Sequence, residues 1–200
     1  MTETTPRREA TRQRLVVAAI AEFAAHGIDA TSVEQLCEAA GFTRGAFYSN
    51  FATKDDLCVA ILEYHRDVVQ AGLARTFDTL PDDARVEWAT GAALQTLFSI
   101  IAPTEEFRIT LMEIRLRAMR VPELASRSDR LATEFRPALL QLMERLSGRF
   151  GVRLKLPLDD VLDLFEAMYF QLDTRGARGA QHLLGPVVLA LSEPIDSAEG

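Results

Sequence analysis

Apolar residues recur at helical spacing along almost the whole chain, and this periodicity limits the possible folds more than any other feature of the sequence. Val16, Ala19, Ile20 and Phe23, for example, lie at positions i, i+3, i+4 and i+7, on one face of a helix. Strand-like alternation does not persist beyond a short stretch at 152–156. The sequence therefore predicts an all-α fold of about nine helices.

Glycine and proline residues indicate where these helices end. Gly27 ends a first helix that begins near Glu9, and Gly41 ends a short second helix. Prolines separate the later helices, because proline lacks the backbone N–H that a helix interior needs. The later elements predicted in this way are helices over 54–80, 83–102, 105–120, 123–128 and 131–149, a loop over 148–160, helices over 158–174 and 178–191, and flexible tails at 1–8 and 193–200.

Composition excludes several classes of protein. Two cysteines in 200 residues, 21 positions apart, cannot form a disulfide scaffold and match no zinc-binding spacing. No apolar run reaches the roughly 18 residues of a membrane span, and the polar N-terminus does not resemble a signal peptide. We therefore expect a cytoplasmic chain with no membrane partner and no bound metal.

Enzymatic motifs are also missing from the sequence. It contains no nucleophile elbow, phosphate-binding loop, paired catalytic carboxylates or metal-ligand cluster. Asp82–Asp83 and Asp159–Asp160 are interpreted as helix caps and first-turn acids. The sequence thus predicts a protein that is not an enzyme, with no catalytic residues and no cofactor.

The net charge of −7 is distributed unevenly. Residues 1–54 contain six basic and six acidic side chains, which leaves 16 of the 22 basic and 23 of the 29 acidic residues for positions 55–200. The whole excess of negative charge therefore follows residue 54. A neutral N-terminal part with an arginine cluster at its start precedes an acidic remainder, and this distribution is compatible with DNA binding by the N-terminal part.

Two short predicted helices joined by a glycine-containing turn follow the longer first helix, as in a helix-turn-helix DNA reader. Either Thr31 with Glu34, or Ser32 with the glutamine three positions later, forms a capping box at the second helix. Thr43 caps the third helix, in which Phe47 and Phe51 share the buried face. The outward residues of this third helix are Thr43, Arg44, Gly45, Tyr48, Ser49 and Asn50.

This segment resembles the TetR family of transcriptional regulators. The resemblance rests on the run TSVEQLCEAAGFTRGAFYSNFATKDDL from Thr31 to Leu57, and on a preceding pattern of Arg12, Ala18, Ala19, Phe23 and Gly27. By motif it covers residues 9–62, and beyond them it is only architectural. It implies a DNA-binding domain at 9–55, with its helix-turn-helix at about 32–51, and a ligand-binding and dimerisation domain at 56–192.

The resemblance also implies how the first domain contacts DNA. Thr43, Tyr48, Lys54 and either Ser32 or Thr31 are expected to contact phosphates, which positions a protein without reading sequence. Base edges would face Arg44, Gly45, Ser49 and Asn50, with Arg44 suited to guanine and Asn50 to adenine or to a phosphate. Arg7, Arg8, Arg12 and Arg14 form either a DNA-contacting arm or a solvated, disordered segment.

The helix at 105–120 carries two apolar stripes on opposite sides, which predicts that it is buried from both sides. Glu113 and Arg117 are expected to pair at i, i+4. Arg115 either pairs with an acid from another helix or receives the anionic group of a ligand. The family resemblance implies a pocket for an unknown small-molecule effector, with the candidate lining residues Trp88, Phe98, Met112, Arg115, Met119, Phe165 and Met168.

The last two predicted helices are apolar along one stripe each, with no later element to cover them. They suggest a two-fold dimer interface that includes Val161, Phe165, Leu172, Leu183, Val187 and Ala190. Together these features predict a ligand-responsive repressor that binds a pseudo-palindromic operator as a homodimer. The alternatives are an enzyme, or a helical binding module whose first domain does not read DNA. The sign of regulation, repression or activation, depends on the operator's position and not on this sequence.

Overall fold

The computed structural model describes residues 6–79, 104–171 and 181–195, and these ranges contain eight helices and two short strands. The all-α prediction is confirmed. The helix predicted over 83–102 lies outside the described residues. In chain order the elements are α1 (Pro6–His26), α2 (Val33–Ala40), α3 (Arg44–Tyr48), α4 (Lys54–Thr79), α5 (Glu105–Ala118), α6 (Pro122–Arg149), β1 (Val152–Leu154), α7 (Leu158–Gln171), α8 (Gln181–Leu191) and β2 (Ser192–Pro194).

Helix α1 begins three residues earlier than the sequence analysis predicted. Its first residue is Pro6, so positions 6–8 belong to the helix and not to a flexible tail. Proline is well suited to the first helical position, because its fixed φ is helical and its missing N–H would have no partner there. As predicted, Val16, Ala19, Ile20 and Phe23 are buried on one face of this helix.

The hydrogen bonds at the N-terminus of α2 decide between the two capping boxes that the sequence allows. Gln35 N donates to Ser32 Oγ (3.2 Å) and Ser32 N donates to Gln35 Oε1 (2.8 Å), so Ser32 is the N-cap. Thr31 is fully buried instead, and its hydroxyl donates to the Gly27 carbonyl oxygen (2.7 Å). At the other end of α2, Gly41 adopts the left-handed conformation (φ 71°) that a C-terminal cap requires.

The largest group of buried side chains lies where α1, α2, α3, the first half of α4 and α5 pack together. Phe23, Phe47, Leu57 and Ile114 have no or almost no exposed surface there. The buried Thr110 hydroxyl of α5 donates to the Ile20 carbonyl oxygen of α1 (2.7 Å). Helix α5 is therefore fixed to α1 by both apolar packing and a buried hydrogen bond.

Only one of the two apolar stripes on α5 is buried. Phe107, Leu111 and Ile114 are covered, whereas Leu116 is 44% and Met119 is 80% exposed. The prediction of a helix buried from both sides is therefore wrong at these two residues, whereas Ile109 and Met112 of the same stripe are partly buried. Periodicity reports which side chains are apolar, and it does not report whether a neighbouring element covers them.

Two predicted boundaries after residue 120 also need correction. The short helix at 123–128 and the long one at 131–149 are a single helix, α6, which begins at Pro122 and carries Pro137 inside it. The segment predicted as a loop contains β1, which pairs in antiparallel fashion with β2 in the segment predicted as a C-terminal tail. Val152 lies opposite Pro194 in this register, and Leu154 lies opposite Ser192.

The chain divides into two compact units. One comprises Met1–Val69 and Ala102–Ala132, and the other comprises Gln70–Ile101 and Thr133–Gly200. Helices α1 to α3 thus belong to the same unit as α5 and the beginning of α4. The functional boundary predicted after residue 55 concerns which residues contact DNA, and it stays a prediction.

Two further observations concern the described residues alone. None of their helices is both long and apolar enough to cross a membrane. They also contain no group of three or more His, Cys, Asp or Glu side chains that is arranged to hold a metal ion.

Candidate nucleic-acid interface

Helix α3 has one buried and one exposed side, as a groove-reading helix requires. Phe47 is fully buried and Phe51, just beyond the helix, is 3% exposed, which confirms the predicted inward face. Thr43 is the N-cap, and its hydroxyl oxygen accepts from Ala46 N (3.3 Å). The exposed residues are Thr43, Arg44, Gly45, Tyr48 and Ser49.

Tyr48 lies on the exposed side of α3, and its ring packs against a buried aromatic ring. Its side chain is 51% exposed, and its ring meets the buried Phe47 ring edge to face, with centroids 5.3 Å apart and planes at 85°. This is a favourable arrangement for two aromatic rings. The Tyr48 side chain is therefore half-exposed while packing fixes its ring, and it also hydrogen-bonds with Arg44.

Arg44 lies between two side chains that hold its guanidinium. Its Nη1 is 2.6 Å from Glu34 Oε1 on α2, and its guanidinium carbon is 5.9 Å from the centre of the Tyr48 ring. Hydrogen bonding with Tyr48, and next the charge of Glu34, raise the pKa of Arg44. The sequence analysis had not recognised Glu34 as a partner of Arg44.

Gly45 is exposed, and its lack of a side chain has no explanation inside the chain. A Cβ atom built at this position would meet only the Thr43 hydroxyl oxygen at 3.8 Å, an ordinary contact distance. Its backbone conformation is also one that other residues adopt, because no positive φ occurs there. The protein itself would therefore accept alanine at position 45.

Ser49 and Asn50 turn their polar groups back toward α3. Ser49 Oγ donates to the Ala46 carbonyl oxygen (2.9 Å), and Asn50 Nδ2 donates to the same oxygen (2.8 Å). Ser49 is the C-cap of α3 and is exposed, whereas Asn50 is partly buried. For Asn50 to read adenine, its amide would have to leave this carbonyl.

Lys54, predicted to contact phosphate, has an internal function in this structure. Its Nζ donates to the carbonyl oxygens of Ile28 (2.6 Å), Asp29 (3.3 Å) and Thr31 (2.9 Å) in the loop between α1 and α2. An ammonium group has three hydrogen atoms, so these three bonds use all of them. A phosphate contact would have to replace one of them.

The arginines at the start of the chain are helical and hold other elements in place. Arg8 donates to the Ser49 carbonyl oxygen (2.9 Å) at the end of α3, and Arg14 donates to the Ala40 carbonyl oxygen (2.9 Å) at the end of α2. Cations are favourable at helix C-termini, where carbonyl groups lack partners. Arg12 pairs with Glu63 of α4 (2.5 Å). These three side chains therefore do not form a disordered arm.

Arg117 of α5 fixes the two loops that flank α2 and α3. It pairs with Asp55 at the start of α4 (2.5 Å, Nε to Oδ1) and with Asp29 in the loop before α2. The hydrogen bond to Asp55 is the main cause that raises the pKa of Arg117. The predicted pairing of Arg117 with Glu113 is wrong, since Glu113 Oε2 lies near Ile28 N (3.4 Å).

The helices that build this interface correspond to a known family domain. Residues 15–61 match the family model described as "Bacterial regulatory proteins, tetR family". Residues 15–61 are therefore similar to the N-terminal domain of TetR-family regulators. Regulators of this family are DNA-binding proteins without enzymatic activity.

Curated relatives align with less than half of the chain. A protein named "Probable acrEF/envCD operon repressor" from Escherichia coli (strain K12) is 47% identical over 47 residues. This match spans 24% of the chain and 21% of the relative. The chain thus aligns with about a fifth of that relative's length.

Solved structures extend the likeness to the whole TetR-family fold. A Rhodococcus sp. chain assigned to the TetR family superposes with a TM-score of 0.71 at 17% identity, covering 92% of this chain and 98% of the other. FadR from Bacillus subtilis, solved with stearoyl-CoA, gives a TM-score of 0.64 at 16% identity, covering 94% of this chain and 99% of the other. At these identities the likeness shows the fold alone.

The predicted effector-pocket residues differ in exposure, and the pocket that they would line stays a prediction. Met112, Phe165 and Met168 are partly buried, and Arg115 and Met119 are exposed, while Trp88 and Phe98 lie outside the described residues. An open groove of about 650 Å³ occurs elsewhere, between α6 and the start of α7. Its lining residues are Glu134, Pro137, Ala138, Leu140, Gln141, Glu144 and Leu158, none of which was predicted.

The predicted dimer-interface residues also differ in exposure. Val161 is fully buried by its own chain, so its assignment to an interface needs correction, because it has no surface left for a partner to cover. Phe165 and Val187 are partly buried and Ala190 is exposed. Leu172 lies outside the described residues, and the side chain of Leu183 is not among those described.

Proposed function

We propose that this chain is a sequence-specific DNA-binding transcriptional regulator, and that it is a repressor which an effector removes from DNA. It would bind a pseudo-palindromic operator as a homodimer, with α3 of each copy in the major groove. The DNA-contacting residues proposed are Ser32, Thr43, Arg44, Gly45, Tyr48, Ser49, Asn50 and Lys54. The proposed domains are residues 9–55 for DNA and 56–192 for ligand binding and dimerisation.

The exposed side of α3 supports this proposal best. It combines an arginine that carries several N–H donors, a phenol hydroxyl and a glycine that no internal contact requires. An arginine can read guanine, a hydroxyl can bind phosphate, and a missing side chain lets DNA approach the backbone. A surface that faces only water would not require these three features together.

Dimer formation is supported by exposed apolar residues on the last two helices. Leu164 of α7 is 37% exposed and Leu189 of α8 is 47% exposed. Two copies that share such a face across a two-fold axis would place their α3 helices on two half-sites about one helical turn, or a multiple of it, apart.

An effector would act by changing the population of DNA-binding states. A ligand shifts such an equilibrium only to the extent that it binds one state better than the other. The structural likeness to FadR, solved with stearoyl-CoA, supports a ligand-binding second domain here without identifying the ligand. The repressor assignment is supported by the name of the Escherichia coli relative.

Selection from randomised duplex DNA at low salt, with the ligand-free full chain, tests the proposal. We expect enrichment of a two-fold-symmetric sequence by the wild type and none by Tyr48→Ala. Enrichment of a single half-site would refute the dimer while leaving the DNA reader intact. If no sequence is enriched, the alternative of a helical binding module becomes the better description. Candidate effectors are then added to the protein–operator complex, and release from DNA is measured.

A further inference from the structure

Glu34 and Arg44 form an ion pair that joins α2 to the first residue of α3. The two atoms in contact, Arg44 Nη1 and Glu34 Oε1, are 2.6 Å apart. Both side chains are mostly exposed, at 62% for Arg44 and 56% for Glu34. Glu34 lies in the first turn of α2, where a carboxylate is favourable by itself, and an exposed ion pair adds little further stability. Folding stability therefore explains an acid at this position, but it does not require the contact with Arg44.

The pair also places a negative charge next to the surface proposed to meet DNA. A carboxylate near phosphates is repelled, and this repulsion weakens binding to every sequence. A residue that opposes binding on this surface needs a compensating function, and its contact with Arg44 indicates what that function is.

Arg44 can keep its bond to Glu34 while it reads a base. A guanidinium carries five N–H donors, and a bidentate contact with guanine uses two of them. The remaining donors are sufficient for the carboxylate. Because an unrestrained arginine loses much rotamer freedom on binding, an arginine already held in place loses less. The Tyr48 ring, 5.9 Å from the guanidinium carbon, restricts the same group from a second side.

We propose that Glu34 is a specificity-determining residue, which holds the Arg44 guanidinium in position for one base pair and lowers affinity for all other DNA. This inference rests on the proposed function. Glu34 touches no base in this scheme; it acts through Arg44. Its effect is therefore expected in the ratio of affinities for right and wrong sequences, and not in folding.

The experiment compares four variants of the full chain on the operator selected by the wild type. These are Glu34→Gln, Arg44→Ala, the double variant, and Glu38→Gln, which removes the same charge from an exposed position one turn further along α2. Dissociation constants are measured for the operator, for operators changed at each base pair, and for unrelated duplex DNA. Thermal unfolding of each variant confirms that the fold is kept.

We expect Arg44→Ala to remove discrimination at one guanine, which a bidentate contact supplies at about 5-fold to 150-fold. Glu34→Gln should lower that same ratio about threefold to tenfold and tighten binding to unrelated DNA, by the removal of a charge. In the Arg44→Ala background it should leave the ratio unchanged. Glu38→Gln should tighten unrelated binding without changing the ratio.

Several outcomes would overturn the inference while leaving the proposed function in place. The first is a wild-type operator whose discrimination survives Glu34→Gln. The second is a loss of discrimination that is equal with and without Arg44. The third is an Arg44→Ala variant that weakens all sequences uniformly. A wild-type protein that selects no DNA at all would instead refute the proposed function, and the inference with it.

Discussion

The Arg117 guanidinium donates a hydrogen bond to the carboxylate of Asp55, 62 positions earlier in the chain, with Nε and Oδ1 2.5 Å apart. A second bond joins the same carboxylate to Nη2 at 3.3 Å. Because Arg117 also pairs with Asp29, one side chain of α5 holds both the loop that precedes α2 and the start of α4. The position of the helices that we propose to face DNA therefore depends on a helix far from them in sequence.

Replacing Arg117 should lower stability measurably. The side chains of Arg117 and Asp55 are only 22% and 24% exposed, so Arg117→Ala leaves the partly buried Asp55 carboxylate without its cation, while the Asp29 carboxylate is 77% exposed. We expect a loss of about 1–3 kcal/mol in the free energy of unfolding, between the values for exposed and buried pairs. Urea denaturation measures it. Arg120→Ala, an exposed arginine just beyond the same helix, should change stability by less than about 0.5 kcal/mol. Equal effects of the two substitutions would contradict a specific function for the Arg117 pairs.

The ionisation of Asp56 makes part of the folding stability depend on pH. Burial alone would raise its pKa, but hydrogen bonds from Arg127 and from the Thr53 side chain and backbone N–H hold the pKa below its ordinary value. A lowered pKa contributes stability above the unfolded-state pKa of about 3.9, and this contribution is lost as the pH falls through the folded-state value.

Asp56→Asn should therefore destabilise the chain at pH 7, and the difference from wild type should disappear as the pH falls below about 4. Thermal unfolding at a series of pH values from 7 to 3 measures both quantities. Asp160→Asn, an exposed first-turn acid of α7, serves as the control. A wild-type advantage over Asp56→Asn that persists unchanged at pH 3 would contradict the ionic origin of the effect.

Gly45→Ala should separate stability from DNA binding. A Cβ atom fits at this helical position, so the substitution is expected to stabilise the fold by about 0.4–1 kcal/mol. On DNA the same methyl group would keep the backbone away from the groove, and we expect at least a tenfold loss of operator affinity. Gly148→Ala, on α6 where nothing lies within 4 Å, should stabilise without any effect on DNA binding. Unchanged operator affinity in Gly45→Ala would remove the close approach that we propose.

Tyr48→Phe tests the phenol hydroxyl alone. The ring packing on Phe47 is retained, so the melting temperature should stay within about 2 °C of wild type, a change equivalent to about 0.5–1 kcal/mol in a chain of this size. Operator affinity should fall at least tenfold, because a hydrogen bond to a charged phosphate contributes about 1.5–3 kcal/mol. Tyr64→Phe on α4 removes a hydroxyl away from the proposed interface and should change neither quantity. Equal DNA affinity of Tyr48→Phe and wild type would assign the phosphate contact to other residues.

Lys54→Met should behave differently from Tyr48→Phe. Methionine keeps the apolar stem but removes the ammonium that binds three carbonyl oxygens of the α1–α2 loop. We expect a stability loss of about 1–3 kcal/mol, typical of polar groups left without partners. Any loss of DNA binding should be accompanied by this loss of stability, which thermal unfolding detects. A variant that binds DNA less well with unchanged stability would restore Lys54 to a direct phosphate contact.

Local features of the fold could be predicted well. The burial of Val16, Ala19, Ile20 and Phe23, the Thr43 cap and the inward face of Phe47 follow from spacing and from cap chemistry within a few residues of one helix. The helix boundaries that were predicted wrongly involve residues that are equally favourable inside and outside a helix end. Pro122, for example, suits the position after one helix and equally the first position of the next, which it occupies here.

The candidate site was predicted as a set of exposed side chains, but not as a set of contacts. Helical periodicity placed Arg44, Gly45, Tyr48 and Ser49 on one face, and the structure exposes all four. The partner of Arg44 lies on another helix, and Lys54 turns inward to a loop more than 20 positions away. Sequence spacing carries no information about such contacts, since they depend on how whole helices are arranged.

What the sequence determined by itself was therefore the set of helices, their caps and the outward face of α3, because each of these depends on residues within one or two turns of each other. Tertiary structure alone decided which charges meet. Arg117 had an acid four positions away on its own helix and yet pairs with Asp29 and Asp55 from distant segments. The packing of α5 on α1 brings those carboxylates within reach of a partly buried guanidinium, where ion pairs are stronger than on an exposed helix surface.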